Sequence, residues 1–157
     1  MVFIEGGSLS QEDVPRLAKE KSIQFNQYRG VYTAKDCEVL AEVLQITTKL
    51  ETLKLNGASV IALKNSKFIK ALAKNSTIKT LDLIRASCGD EGAKALAAVL
   101  KENTTIENID LDGNKISDVG AKAFAAALKE NDTLQTLNLD RNQIGVRGQK
   151  RWQLHSK

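Results

Sequence analysis

The sequence predicts a right-handed α/β solenoid, a horseshoe segment with a parallel sheet lining its inside and helices outside. Three observations carry that prediction. Apolar residues recur in step: Leu50, Ile78, Ile106 and Leu134 are each 28 residues apart. So are Leu53, Leu81, Ile109 and Leu137, and then Leu55, Leu83, Leu111 and Leu139. Within each unit the periodicity changes from two to 3.6, the switch from a strand to a helix. Finally, one strand and one helix cannot bury both apolar faces alone, whereas stacked copies can.

The strands come from the alternating "LKL", "LDL", "IDL" and "LNL" segments, which predict strands near 53–55, 81–83, 109–111 and 137–139. Val60, Cys88, Ile116 and Ile144 form a fourth apolar column. The helices follow. Ala93, Leu96, Ala97 and Leu100 fall at i, i+3, i+4 and i+7, and Ala121, Phe124, Ala125 and Leu128 repeat the stripe. Asp90 and Asp118 are placed to cap these helices, and Asn103 and Asn131 suit a left-handed exit. Gly92 and Gly120 share a column where helix and strand backbones are expected to approach.

The ends depart from the pattern. "TAKD" reads as a capping box at Thr33, opening a helix with Cys37, Leu40, Ala41 and Leu44 on its stripe. Residues 1–30 read as an N-terminal cap and degenerate unit, with Ser10 and Asp13 starting a short helix. Residues 31–148 form the repeats of a single domain, and 149–157 an atypical end in which Trp152 takes the Leu96/Phe124 helix position.

The pattern "LxxLxLxxNxI…GAxALAxALKEN" resembles the leucine-rich repeat of the ribonuclease-inhibitor-like subtype over roughly residues 33–148. The asparagine column of that family is kept at Asn114 and Asn142 and replaced by Ala58 and Ala86. A side-chain ladder to the loop backbone is therefore expected in the later repeats alone. The resemblance implies a protein-binding scaffold; relatives inhibit nucleases, activate the GTPase Ran, sense ligands or cap actin filaments. The "ALKEN" helix ends also resemble the C-terminal half of tropomodulin.

No enzyme chemistry is legible. His155 is the one histidine and has no partner constellation, Cys37 and Cys88 fall in apolar columns, and the glycines form neither a GxGxxG nor a Walker arrangement. No cofactor, no metal and no membrane span are expected. The opening "MVFIEGGSLS" lacks a signal-peptide pattern, and two cysteines make no disulfide framework, which together predict a cytoplasmic location.

The outward strand positions are the candidate partner-binding face. They are Glu51, Thr52, Lys54, Asn56 and Gly57; Lys79, Thr80, Asp82, Ile84 and Arg85; Glu107, Asn108, Asp110, Asp112 and Gly113; and Gln135, Thr136, Asn138, Asp140 and Arg141. Six are acidic and four basic, a net of −2 against +4 for the chain. The remaining residues then carry +6, which puts the basic excess on the helices and argues against nucleic acid as the main ligand. With neighbouring strands about 4.8 Å apart, Asp82 beside Asp110 and Asp112 beside Asp140 would repel by about 0.9 kcal/mol per pair even in water. Arg85 and Arg141 are at hand to offset that, and all four aspartates are expected to face solvent. Such a face suits a protein partner with a basic surface, with Ile84 as an apolar anchor.

The leading expectation is a non-catalytic protein–protein interaction scaffold. The alternatives are a tropomodulin-like actin-binding module and a GTPase-activating scaffold using Arg85 or Arg141. Self-association through an open C-terminal repeat is a further expectation.

Overall fold

The computed structural model describes residues 1–4, 8–25, 33–56, 60–145 and 152–153. Gly57, Ala58, His155 and most of the C-terminal segment lie outside the described residues. One seven-stranded sheet runs through the molecule in chain order. Its strands are β1 (Val2–Ile4), β2 (Ser22–Phe25), β3 (Thr52–Lys54), β4 (Thr80–Asp82), β5 (Asn108–Asp110), β6 (Thr136–Asn138) and β7 (Trp152–Gln153). The first six are parallel, and from β3 to β6 each residue pairs with the one 28 positions on, as Leu53 with Leu81 and Leu81 with Ile109. The solenoid read from the columns is the fold.

The strands fall one residue earlier than the "LxL" reading. The first leucine of each pair is the central, buried residue of a three-residue strand. The second, as in Leu55 and Leu83, lies just past the strand, yet its amide still donates to the neighbouring repeat (Leu55 to Asp82, Leu83 to Asp110). All three apolar columns are buried in one continuous core. A fully buried leucine contributes roughly 1.5–3 kcal/mol, so the repeated columns are the main source of stability.

The helices cover the outer side: α1 (Val14–Leu17), α2 (Ala34–Ile46), α3 (Val60–Lys64), α4 (Ser66–Lys74), α5 (Gly89–Glu102) and α6 (Asp118–Ala127). In α5, Ala93, Leu96, Ala97 and Leu100 are all buried. In α6, Phe124 and Ala127 are buried while Ala121, Ala125 and Leu128 are half-exposed. Thr33 opens α2 with the expected capping box: its hydroxyl accepts from the Asp36 amide, and Asp36 accepts from Thr33. Asp36 also accepts from the Leu9 amide at 2.5 Å, which ties the N-terminal segment to α2. Ser10 and Asp13 cap the 3-10 turn before α1 as expected. Among the described residues no helix is long and apolar enough to cross a membrane.

Several local readings are corrected. Asp90 does not cap α5; its carboxylate accepts from the Ser117 amide and hydroxyl (2.8 and 2.6 Å) and from the Gly120 amide (3.0 Å), at the start of the next helix. Asp118 likewise accepts from Gly145. Each carboxylate meets the unsatisfied amides one repeat on, and Ser117 caps α6 instead. Asn103 leaves its helix in an extended conformation, not a left-handed one.

Gly92 and Gly120 meet side chains rather than strand backbone. A Cβ on Gly92 would fall 2.5 Å from Cys88 Cβ and 3.0 Å from Leu63; on Gly120, 2.6 Å from Ile116 and 2.8 Å from Ala93. Trp152 belongs to no helix. It pairs antiparallel with Leu137, and Gln153 with Thr136, so β7 lies along the edge whose openness motivated self-association.

Candidate functional site

Each strand from β3 to β6 buries its middle residue and turns the flanking two outward. The inner sheet surface therefore carries rows of side chains one strand apart. The row nearest the strand starts is Glu51, Lys79, Glu107 and Gln135, followed by Thr52, Thr80, Asn108 and Thr136. Next comes Lys54, Asp82, Asp110 and Asn138, and the loop row adds Asn56, Ile84, Asp112 and Asp140. The predicted positions are brought together on one face, apart from Gly57, which lies outside the described residues, and Asp112, which is buried.

Its charges are largely answered from within. Glu51 pairs with Lys21 (3.3 Å), Asp82 with Lys54 (3.6 Å) and Glu107 with Lys79 (3.8 Å). Asp110 accepts from the Asn138 amide at 3.1 Å and from the Asp112 backbone at 3.0 Å. The repulsion expected between Asp82 and Asp110 is therefore relieved by a lysine on one side and an amide on the other. Exposed pairs of this kind contribute about 0–1 kcal/mol each, so they shape the surface more than they stabilise it. Ile84 is half-buried rather than a projecting anchor.

Asp112 is the clear departure. It was expected to face solvent beside Asp140, but it is 2% exposed and held by Arg141. The Arg141 Nε donates to Asp112 Oδ1 at 2.6 Å and a terminal nitrogen donates to Oδ2, a two-pronged pairing that suits a guanidinium. Asp112 foremost, then Asp140 and Asp110, raises the Arg141 pKa above its ordinary value. Arg141 is thus committed to an internal contact, which leaves Arg85 as the arginine in this region whose side chain has no ion pair among the described residues. Sequence reasoning put Arg141 at hand to offset Asp112 and Asp140, but missed that Asp112 is buried under a two-pronged pairing. The available signal was a carboxylate at the loop row with an arginine 29 residues on.

Two asparagine columns flank the sheet. Asn114 donates to the carbonyls of Leu83 and Asp112 and accepts from the Cys88 amide and thiol. Asn142 donates to Leu111 and accepts from Asn114 and Ile116. This is the ladder expected in the later repeats. The second column, Thr47, Asn75, Asn103 and Asn131, joins each helix end to the previous repeat. Asn103 and Asn131 were read as helix exits, and their reach to the previous repeat was missed, although an asparagine every 28 residues was its signal.

Cys37 and Cys88 are both buried, as expected of core positions; burial foremost pushes the Cys37 thiol up to about 11. No three His, Cys, Asp or Glu side chains come together as a metal site among the described residues. On the outer side, a shallow groove between α2 and α4 is lined by Val14, Ala41, Ile46 and Lys70 and spanned by the Lys67–Glu38 pair at 3.0 Å.

With this geometry in place, the comparisons with known proteins are specific. The family model of the TMOD/LMOD leucine-rich domain matches residues 35–151. A solved structure titled "Leiomodin-1 Actin-Binding Site 2 (ABS2)" is similar at a TM-score of 0.55 and 24% identity. The likeness covers 88% of this chain and 65% of that one, so the chain spans about two thirds of its neighbour's length. No curated protein matches significantly. The family match runs from α2 to the residue before β7, across the whole regular part of the array, and the chain belongs to the TMOD/LMOD leucine-rich domain family.

Proposed function

We propose that the chain is a non-catalytic, intracellular protein-interaction module whose partner is actin, met through the inner strand face and its loop edge. The carrying observation is the family match over residues 35–151, seconded by the likeness to a leiomodin actin-binding site. It favours the tropomodulin-like alternative over the open-ended scaffold read first from the repeats. We also assign the repeats to the ribonuclease-inhibitor-like subtype, on the full helix of Gly89–Glu102 within a 28-residue unit. The inner face supports the binding role because it offers a mixed-charge surface whose side chains are held in rows. A large area of aligned polar groups gives register to a protein partner more readily than to a small molecule.

The test is co-sedimentation with filamentous actin and a fluorescence titration of monomeric actin. Alongside the wild type, one variant carries Asp82→Asn, Asp110→Asn and Asp140→Asn; Asp112 is left alone because it is buried. A second carries Lys122→Gln and Lys129→Gln on the outer helix. Loss of binding confined to the first variant is the expected result. Loss confined to the second would move the site to the helices, and a wild type that binds neither actin form would remove actin as the partner.

A further inference from the structure

The strand-to-helix loops place an arginine at two equivalent positions, and among the described residues only one of them has an ion pair. Arg141 reaches back 29 residues to Asp112. Arg85 occupies the same loop position two repeats earlier, with the same left-handed backbone (φ 52° against 53°). The residue 29 before it is Asn56, which carries no charge; in the orientation its surroundings favour, with the side-chain oxygen and nitrogen exchanged, its amide donates to the Asp82 carboxylate at 2.7 Å. Asp82 in turn is paired with Lys54. Among the described residues no carboxylate pairs with Arg85.

The backbone does not require arginine there. The intervening repeat has Gly113 at this position with φ 69°, the conformation glycine adopts without strain. The Arg85 side chain lies across that glycine, its Cγ 3.1 Å from where a Gly113 Cβ would stand. It thus leans toward the next repeat, whose loop exposes Lys115.

We propose that Arg85 is an open carboxylate clamp. Arg85 takes an Asp or Glu side chain from an acidic segment of a protein partner, in the geometry by which Arg141 takes Asp112, and the exposed Lys115 of the next repeat's loop adds positive charge. The proposal rests on the reading of the chain as a protein-binding module, and it names the chemistry that one edge of the surface selects. The planar guanidinium of the exposed Arg85 loses less freedom per hydrogen bond formed than a lysine would when a carboxylate arrives.

The probe is a hexaglutamate peptide titrated into the isotope-labelled full chain, with the arginine Nε–H and backbone resonances followed by NMR. The peptide is expected to shift Arg85 and Lys115. Arg85→Gly should weaken binding roughly tenfold with the melting temperature unchanged or raised, since glycine suits the backbone. Arg85→Lys should retain part of the affinity. The double variant Asn56→Asp with Asp82→Asn recreates the 112/138 arrangement, and it should engage Arg85 internally and lose the peptide.

Shifts confined to outer-helix lysines such as Lys122 and Lys129, or wild-type affinity in a folded Arg85→Gly, would overturn the clamp. The actin assay separates the two proposals. A wild type that ignores actin but binds the peptide at Arg85 removes the actin reading and keeps the clamp. Arg85→Gly that binds both actin and peptide like the wild type removes the clamp and keeps the actin reading.

Discussion

The two asparagine columns differ in how far they run. At the helix-to-strand side the column is continuous from Thr47 through Asn75 and Asn103 to Asn131, each side chain reaching the previous repeat while it accepts from amides just ahead. At the strand-to-helix side the ladder has Asn114 and Asn142, but Ala86 stands at the equivalent earlier place. Asn114 supplies an acceptor to Cys88 at the start of α5, which runs unbroken for 14 residues. The helical segment ahead of Ala86 gets no such acceptor, and there the helix is split into α3 and α4, restarted by Asn65 capping Phe68. The lesson is that the apolar columns specify stacking, while buried amides specify where each helix begins and ends.

The sharpest way to break this comparison is Asn103→Ala. Asn103 is 2% exposed, donates to the Leu72 and Asn75 carbonyls and accepts from Thr105 and Ile106. Its removal strands several buried backbone groups and should cost about 3–5 kcal/mol in urea unfolding, whereas Thr47→Ala should cost less than half as much. Asn114→Ala comes next, at about 2–3 kcal/mol. It should make the start of α5 resemble that of α3, with faster amide exchange there. Without any mutation, the amides of α3 should exchange faster than those of α5; equal protection would mean that the missing rung has no local consequence.

The smallest effect is Asp90→Asn, at about 1–2 kcal/mol near neutrality. Hydrogen bonds first from the Ser117 hydroxyl, then from backbone amides, hold the Asp90 carboxyl below its ordinary value of 3.8. Asp13 is held low as well, mainly by Arg16. A depressed folded-state pKa gives stability that is fully present above the unfolded value and is lost as pH falls through the folded one. Wild-type stability should therefore decline below about pH 4, and Asp90→Asn should flatten that limb in acid titrations followed by circular dichroism.

Most of the architecture was legible because a solenoid repeats its apolar positions, and Leu53, Leu81, Ile109 and Leu137 betray the strand order without a single tertiary contact. The misreadings share one physical cause. In a stacked array the residue 28 positions away is a nearest neighbour, so side chains that local rules assign to their own helix end act one repeat away. Asp90 was read as a cap for α5 and serves α6; Asn103 was read as a helix exit and serves the previous repeat. Asp112 looked outward by alternation, yet a single arginine 29 residues on covers it. The inner face was readable as a surface, whereas its internal ion pairs depend on side-chain reach, which periodicity does not report.

The reversed direction of β7 bears on how such an array can change by duplication. A copied unit inserted between β3 and β6 arrives with its own strand parallel to both neighbours and preserves the 28-residue register. The same unit appended after β7 would meet a strand running the opposite way, out of phase with every ladder behind it. Duplication between β3 and β6 therefore keeps the parallel register, whereas the antiparallel β7 breaks it at its own edge of the sheet.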